Sequence, residues 1–264
     1  EMSPVKVETR RGVMTATLVD LENRNALGFA LVKGLRDALA AANADPAVRA
    51  LVVTNEGSTF CAGANLKERS AANERSGSSG RVSNSGGLTE LLHEIQLSPT
   101  PVIGRIAGHV VGGGNGLAAV LDISIAADDV KFGFTEVRLG VAPAIISVVC
   151  LPKMRKGEAM EAFLRGNRFS ASRAAELGLI NRAVPAAQLD AAVEEVLADL
   201  RKGGPKALGF AKRLVYEVPR MNQHEAFEWA ARLSGELFAG EEAAEGMKAF
   251  LGKRAARWAT EEND

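Results

Sequence analysis

Two short stretches hold residues whose types and spacing could do chemistry. Residues 108–116 read GHVVGGGNG, with Gly112, Gly113 and Gly114 set between a pair of valines and a Leu117-Ala118-Ala119-Val120-Leu121 helix pattern. Glycine is destabilising inside a regular element. Three in a row mean either that the backbone bends where side chains cannot go, or that something approaches it closely. Residues 60–66 read FCAGANL, small residues around Gly63 after a strand and a turn. Backbone N–H groups from two such turns, converging on one oxygen, would form an oxyanion hole. Each stretch taken alone also fits plain strand–helix packing; it is their succession that points to a site.

Other glycine-rich devices fail on residue identity. A dinucleotide fingerprint would place its last glycine on Leu117 and lacks the acidic residue after a following strand. No Gly-Lys-Ser/Thr phosphate loop and no G-x-S-x-G nucleophile elbow occurs. Geometry remains: a strand over 101–107 runs into Gly112–Gly114 and then a helix, whose first amides lack internal acceptors and favour negative charge.

Composition sets the surroundings. The chain has 264 residues and 47% hydrophobic content, enough for one large core. Lys+Arg and Asp+Glu balance at 32 each, which argues against nucleic-acid or membrane-surface binding through bulk charge. Two cysteines, Cys61 and Cys150, make no disulfide framework, and three scattered histidines make no zinc motif, so no metal is expected. The opening EMSPVKVETRRG has no apolar signal core, and a cytoplasmic location is the expectation.

The elements that must position the two stretches follow from periodicity. VKVETRRGVMTATLVDL alternates on both sides of Arg11-Gly12 and predicts a hairpin. Leu27, Leu31, Leu35 and Leu39 predict a helix that stops at Asp45-Pro46. VRALVVTNEG, PVIGRIAG and DISIAADD read as strands, and TELLHEIQLSP and GNGLAAVL as helices. Strands alternate with helices through residue 150, so the expectation is an α/β domain with mostly parallel pairing. Beyond Pro152 the pattern reads as almost entirely helical, with Ser170 as an N-cap and Gly178 as a stop. Residues 69–87 are Ser/Gly-rich without periodicity and read as a loop and candidate lid.

Five segments resemble, in order, the motifs of the crotonase family, the enoyl-CoA hydratase/isomerase superfamily. FCAGANL resembles F-x-A-G-A-D-L, and GGGNGLAAVLDISIAAD resembles G-G-G-x-x-L-x-x-x-C-D-x-x-x-A. NRNAL at 23–27 resembles R-x-N-A-L, and FGFTEVRLGVAP at 132–143 resembles the stretch carrying a catalytic glutamate. FLGKRAARW at 250–258 resembles F-x-x-K-R-x-P-x-W without its proline. The resemblance implies an α/β fold, a crotonase-type spiral of β-β-α turns over 1–200 with a C-terminal helical region over 201–264. It also implies a homotrimer or dimer of trimers.

By position, the resemblance makes Ala64 and Gly113 the amides that hold the thioester oxygen of an acyl-coenzyme A, and Glu136 the acid/base group. A partly buried carboxylate there would have a raised pKa suited to proton transfer near neutrality. The family's other glutamate position falls on Gly116. Coenzyme A contacts carry over to Arg24, Ala26, Ala62, Ala64, Asn65 and Leu66, and to Phe250 and Lys253 reaching a neighbouring subunit. Asn65 stands where the family usually has Asp. Ser147 is either an acyl contact or a buried helix N-cap. The implied activity is hydration of a 2-enoyl-CoA from fatty-acid or branched-chain, methylglutaconyl-like breakdown. No cofactor is implied beyond the substrate's coenzyme A. Single-glutamate Δ3-Δ2-enoyl-CoA isomerisation is the first alternative, and a non-catalytic acyl-CoA binder the second.

Overall fold

The protein is described by a computed structural model covering residues 3–76 and 87–259. Alternation builds an antiparallel hairpin from β1 (Val5–Arg10) and β2 (Val13–Leu18), closed in the register Arg10↔Val13. Arg11 and Gly12 turn it with φ of 48° and 70°, the left-handed pair that a two-residue hairpin turn requires.

Eight further strands follow: β3 (Ala50–Asn55), β4 (Thr59–Cys61), β5 (Val102–Ile106), β6 (His109–Val111), β7 (Ile123–Ala127), β8 (Lys131–Gly133), β9 (Phe169–Ser170) and β10 (Arg182–Val184). They sort into a six-stranded sheet, β1-β2-β3-β5-β7-β10, and a four-stranded sheet, β4-β6-β8-β9. Pairing is parallel except in β1–β2 and β8–β9. The pairs β3–β4, β5–β6 and β7–β8 each give one strand to each sheet before a helix follows, so the chain winds as a spiral of β-β-α turns.

This spiral corrects the single strand expected over 101–107. The run is β5 in one sheet, and the path to the glycines passes through β6 in the other. The change of sheet falls at Gly108, where a Cβ would lie 2.6 Å from the Phe60 amide nitrogen. An apolar run carries no sign of such a corner. The almost wholly helical reading beyond Pro152 is corrected too, because β9 and β10 complete the two sheets. Two or three residues are too few to show a strand period.

α1 (Phe29–Ala44) buries Leu31, Val32, Leu35, Ala38, Leu39 and Ala42 along one face. α2 (Leu66–Ser76) takes in the start of the stretch read as a loop, so residues 69–76 are helical. Residues 77–86, the rest of that candidate lid but for Gly87, lie outside the described residues. α3 (Leu88–Leu97) buries Leu88, Leu91, Leu92 and Ile95, and α4 (Gly114–Val120) is buried at every residue.

α5 (Ala144–Cys150), α6 (Lys156–Arg165) and α7 (Ala171–Leu177) follow β8. Ser170 caps α7 by accepting from the Arg173 amide at 3.0 Å, and Gly178 ends it with φ 86°. Ser147 is not an N-cap: α5 starts after Pro143, and the Ser147 hydroxyl donates to the Ala144 carbonyl at 2.7 Å. A serine in mid-helix commonly bonds back to the preceding turn in this way.

α8 (Leu189–Lys202), α9 (Pro205–Glu217), α10 (Gln223–Phe238) and α11 (Glu241–Leu251) finish the chain. Lys212 of α9 ties them inward, with Nζ 2.8 Å from Asp122 Oδ2 and 2.6 Å from the Ile95 carbonyl. No helix among the described residues is long and apolar enough to cross a membrane.

Candidate active site

The two glycine turns meet. Gly63 has φ +86°, and a Cβ on it would lie 2.9 Å from the Gly113 nitrogen. Conversely, a Cβ on Gly113 would lie 3.7 Å from the Ala64 nitrogen and 3.5 Å from Gly63 Cα. Among the described residues, neither the Ala64 nor the Gly113 amide donates to an acceptor of the protein. Buried or half-buried amides are ordinarily paired, so two adjacent unpaired ones mark a place where an acceptor from outside fits.

Each glycine of the triplet has its own reason. Gly112 has φ +54°, a conformation that L side chains rarely adopt. At Gly114 a Cβ would lie 2.5 Å from the Cys61 carbonyl oxygen, so the first turn of α4 packs directly on β4. At Gly113 the nearest protein atom to a Cβ is Leu27 Cδ1 at 3.3 Å. The chain crowds that position less than it crowds Gly114; a side chain there would instead fill the space beside the Ala64 amide.

Segment 23–27 is strapped to the same place. The Leu27 amide donates to the Gly63 carbonyl at 2.6 Å, and the Ala62 amide donates to the Arg24 carbonyl at 3.1 Å. Arg24 and Asn25 both take φ 53°. Buried Asn25 holds this bend by donating from Nδ2 to the Thr59 carbonyl at 2.8 Å. Arg24, Ala26, Ala62, Ala64, Asn65 and Leu66 are thus brought together, with Arg24 exposed and Ala26 buried. Asn65 has a local task as well: its Oδ1 accepts from the Glu68 amide at 3.3 Å, and its Nδ2 donates to Glu68 Oε1 at 3.1 Å. Glu68 Oε2 in turn accepts from the Phe29 amide at 3.0 Å, capping α1. The sequence reading missed this link, although Asn-x-x-Glu is a recognisable capping pattern.

Glu136 opens a short 3-10 turn, Glu136–Leu139, directly after β8. Its Oε1 lies 3.5 Å from where a Cβ of Gly112 would be. Its Oε2 is buried and has no hydrogen-bond partner. Burial raises its pKa above the ordinary carboxylate value, and a hydrogen bond from its own backbone amide offsets part of that rise. The carboxylate therefore stands beside the turn that carries the Gly113 amide, poorly solvated and with an oxygen free to bond.

Gly116 holds nothing that could serve as a second acid. A Cβ there would lie 2.6 Å from Ile146 Cβ and would overlap Ile146 Cγ2. Ile146 of α5 is 3% exposed and fills the space into which a side chain at 116 would project. Nothing in the one-dimensional sequence joins these residues. Phe250 and Lys253 lie elsewhere in the chain, at the end of α11 and the turn after it, with Phe250 83% exposed. Among the described residues no group of three or more His, Cys, Asp or Glu could hold a metal ion.

The sequence model described as enoyl-CoA hydratase/isomerase matches residues 8–261. A "Probable enoyl-CoA hydratase" of Rhizobium meliloti is 33% identical over 260 residues, covering 96% of each chain. A "Mevalonyl-coenzyme A hydratase" of Aspergillus fumigatus is 31% identical over 253 residues, covering 93% of this chain and 91% of its own. Among solved structures, AtuE of Pseudomonas aeruginosa is 33% identical with a TM-score of 0.90, covering 97% of this chain and all of the other. The chain belongs to the enoyl-CoA hydratase/isomerase family and has the crotonase fold, with the C-terminal helices of that fold.

Proposed function

We propose that the protein is an enoyl-CoA hydratase that adds water across the 2,3 double bond of a 2-enoyl-CoA thioester. The observation that carries this reading is the meeting of two unpaired amides, Ala64 and Gly113, beside the partnerless carboxylate oxygen of Glu136. The thioester oxygen accepts from both amides. Water adds to C3 as Glu136 takes one of its protons, and the π electrons move onto the thioester oxygen as an enolate. Fixed N–H donors aimed at that developing charge supply about 3–4 kcal/mol each by analogy with other oxyanion holes. Collapse of the enolate takes a proton at C2. With Ile146 beside Gly116, Glu136 is the group at hand to return it, so both H and OH derive from one water molecule.

Arg24, exposed at a left-handed bend, suits the nucleotide phosphates of coenzyme A. Ala26, Ala62, Asn65 and Leu66 flank the adenine and pantetheine path. Phe250 and Lys253 serve a neighbouring copy in a trimer or dimer of trimers, consistent with the exposure of Phe227, Phe238 and Phe250. The acyl group is of the fatty or branched-chain type, and the reaction needs no cofactor beyond the substrate's own coenzyme A.

A single carboxylate also suits Δ3-Δ2-enoyl-CoA isomerisation, in which Glu136 removes a proton from C2 and returns one at C4. Ile146 in the place of a second acid is what favours this second reading. One experiment separates the two. Loss of conjugated thioester absorbance with a panel of 2-enoyl-CoAs supports hydration. Gain of that absorbance from 3-enoyl-CoAs, with none lost from 2-enoyl-CoAs, supports isomerisation and overturns the hydratase reading. Binding without either change leaves a non-catalytic acyl-CoA binder.

A further inference from the structure

Asn115 is one residue inside α4 and is 1% exposed. Its side-chain Nδ2 donates at 2.9 Å to the Gly112 carbonyl and at 2.9 Å to the Gly133 carbonyl. Those two carbonyls belong to the two segments that matter. Gly112 sets the turn carrying the Gly113 amide, and Gly133 ends β8, three residues before Glu136. The main chain joins the same segments through the parallel β6–β8 pairing, Val110↔Phe132 and Val111↔Gly133, and past the end of β6 through the Gly112 amide donating to the Gly133 carbonyl at 2.9 Å. That pairing stops at the glycine turn, and the Asn115 amide group, reaching both carbonyls there, braces the two segments where they leave the sheet.

The cost of the arrangement is visible. Asn115 Oδ1 is buried and has no partner, and an orphaned buried acceptor is destabilising. Both carbonyls would keep a backbone donor without Asn115: Gly112 from the Asn115 amide and Gly133 from the Gly112 amide. An apolar residue in its place would therefore strand no carbonyl and would remove the orphan. Folding alone does not call for asparagine in a helix otherwise made of Gly, Leu, Ala and Val.

We infer that Asn115 is a positioning residue, a clamp that fixes the distance between the Gly113 amide and the Glu136 carboxylate. The inference rests on the hydratase reading for its consequence in turnover but not for its structural content, and the test keeps these apart. Asn115→Ala, with Asn115→Ser as the second variant should alanine fail to fold, is compared with wild type in two measurements.

Amide hydrogen exchange is followed peptide by peptide on the unliganded protein. The clamp predicts faster exchange in both 110–116 and 132–139 and no change in α1 or the β1–β2 hairpin. Loosening of only one of the two segments, or of neither, overturns it. The second measurement is turnover of a 2-enoyl-CoA. A small misplacement between reacting groups lowers rate far more than binding, so kcat is expected to fall about 10- to 100-fold while KM moves less than threefold. A matching rise in KM with unchanged kcat would overturn the positioning role. If wild type turns over no acyl-CoA at all, the hydratase reading falls, and the exchange pattern alone decides the clamp.

Discussion

Glu136 and Glu245 are the same chemical group held in opposite ways. Glu245, on α11, is saturated: Arg254 binds both its oxygens at 2.7 and 3.0 Å, and the Arg257 amide adds a bond at 2.9 Å. These partners, Arg254 first, hold its pKa down at about 2. Glu136, after β8, has one buried oxygen with no partner and a pKa raised by burial. The first arrangement knits the C-terminal segment together, where Arg49 also donates to the Trp258 carbonyl at 2.7 Å. The second leaves hydrogen-bonding capacity unspent beside two amides in the same condition. Saturated polar groups build the structure, and the unsaturated ones that converge in one place are where the proposed chemistry would be done.

Exchanging each carboxylate for its amide tests that contrast most strongly. Glu136→Gln is expected to lower hydratase kcat by about 10²- to 10⁴-fold, the usual range for removing a general acid/base, with little change in KM. Glu245→Gln is expected to leave kcat nearly intact and to lower the melting temperature. If both variants lose activity alike, the distinction between the two regions fails.

Next in size is the space beside Gly116. Gly116→Glu should destabilise the protein by at least about 1–3 kcal/mol through overpacking against Ile146, measured by urea unfolding. Adding Ile146→Ala should recover part of that loss. An undiminished midpoint for Gly116→Glu alone would show that Ile146 does not hold that space.

The pH dependence of stability should run in opposite directions for the two groups. Glu136 has a raised pKa, so its protonated form favours the fold: that contribution is present below about 4.5 and is lost as pH rises through the folded value. Glu136→Gln should therefore melt higher than wild type at neutral pH and match it in acid. Glu245 has a lowered pKa, so its contribution is present above 4.5 and is lost as pH falls toward about 2. Glu245→Gln should melt below wild type at neutral pH and converge with it in strong acid. The smallest effect is expected at Ser147, whose hydroxyl only bonds back to Ala144. Ser147→Ala should change stability by no more than about 0.5 kcal/mol.

What the sequence disclosed depended on whether the information was local. The hairpin turn at Arg11-Gly12, the apolar face of α1 and the Ser170 cap follow from neighbours within a few residues, and each reads directly. The glycine triplet and FCAGANL announced themselves because glycine where an element should continue needs a reason. The change of sheet at Gly108, the strands β9 and β10, and Ile146 against Gly116 depend on segments far apart in the chain, where no local period reports them. Asn115 lies between. A lone amide among small apolar residues was visible, but its two acceptors, Gly112 and Gly133, are 21 residues apart and meet only in the folded chain.

The most direct measurement of the central claim is the structure of the protein with an unreactive acyl-CoA thioester bound. The account predicts the thioester oxygen within about 2.7–3.1 Å of both the Ala64 and Gly113 nitrogens, with the Glu136 carboxylate facing C2 and C3 of the acyl chain. A thioester oxygen held by any other group, or a carboxylate turned away from those two carbons, would contradict it.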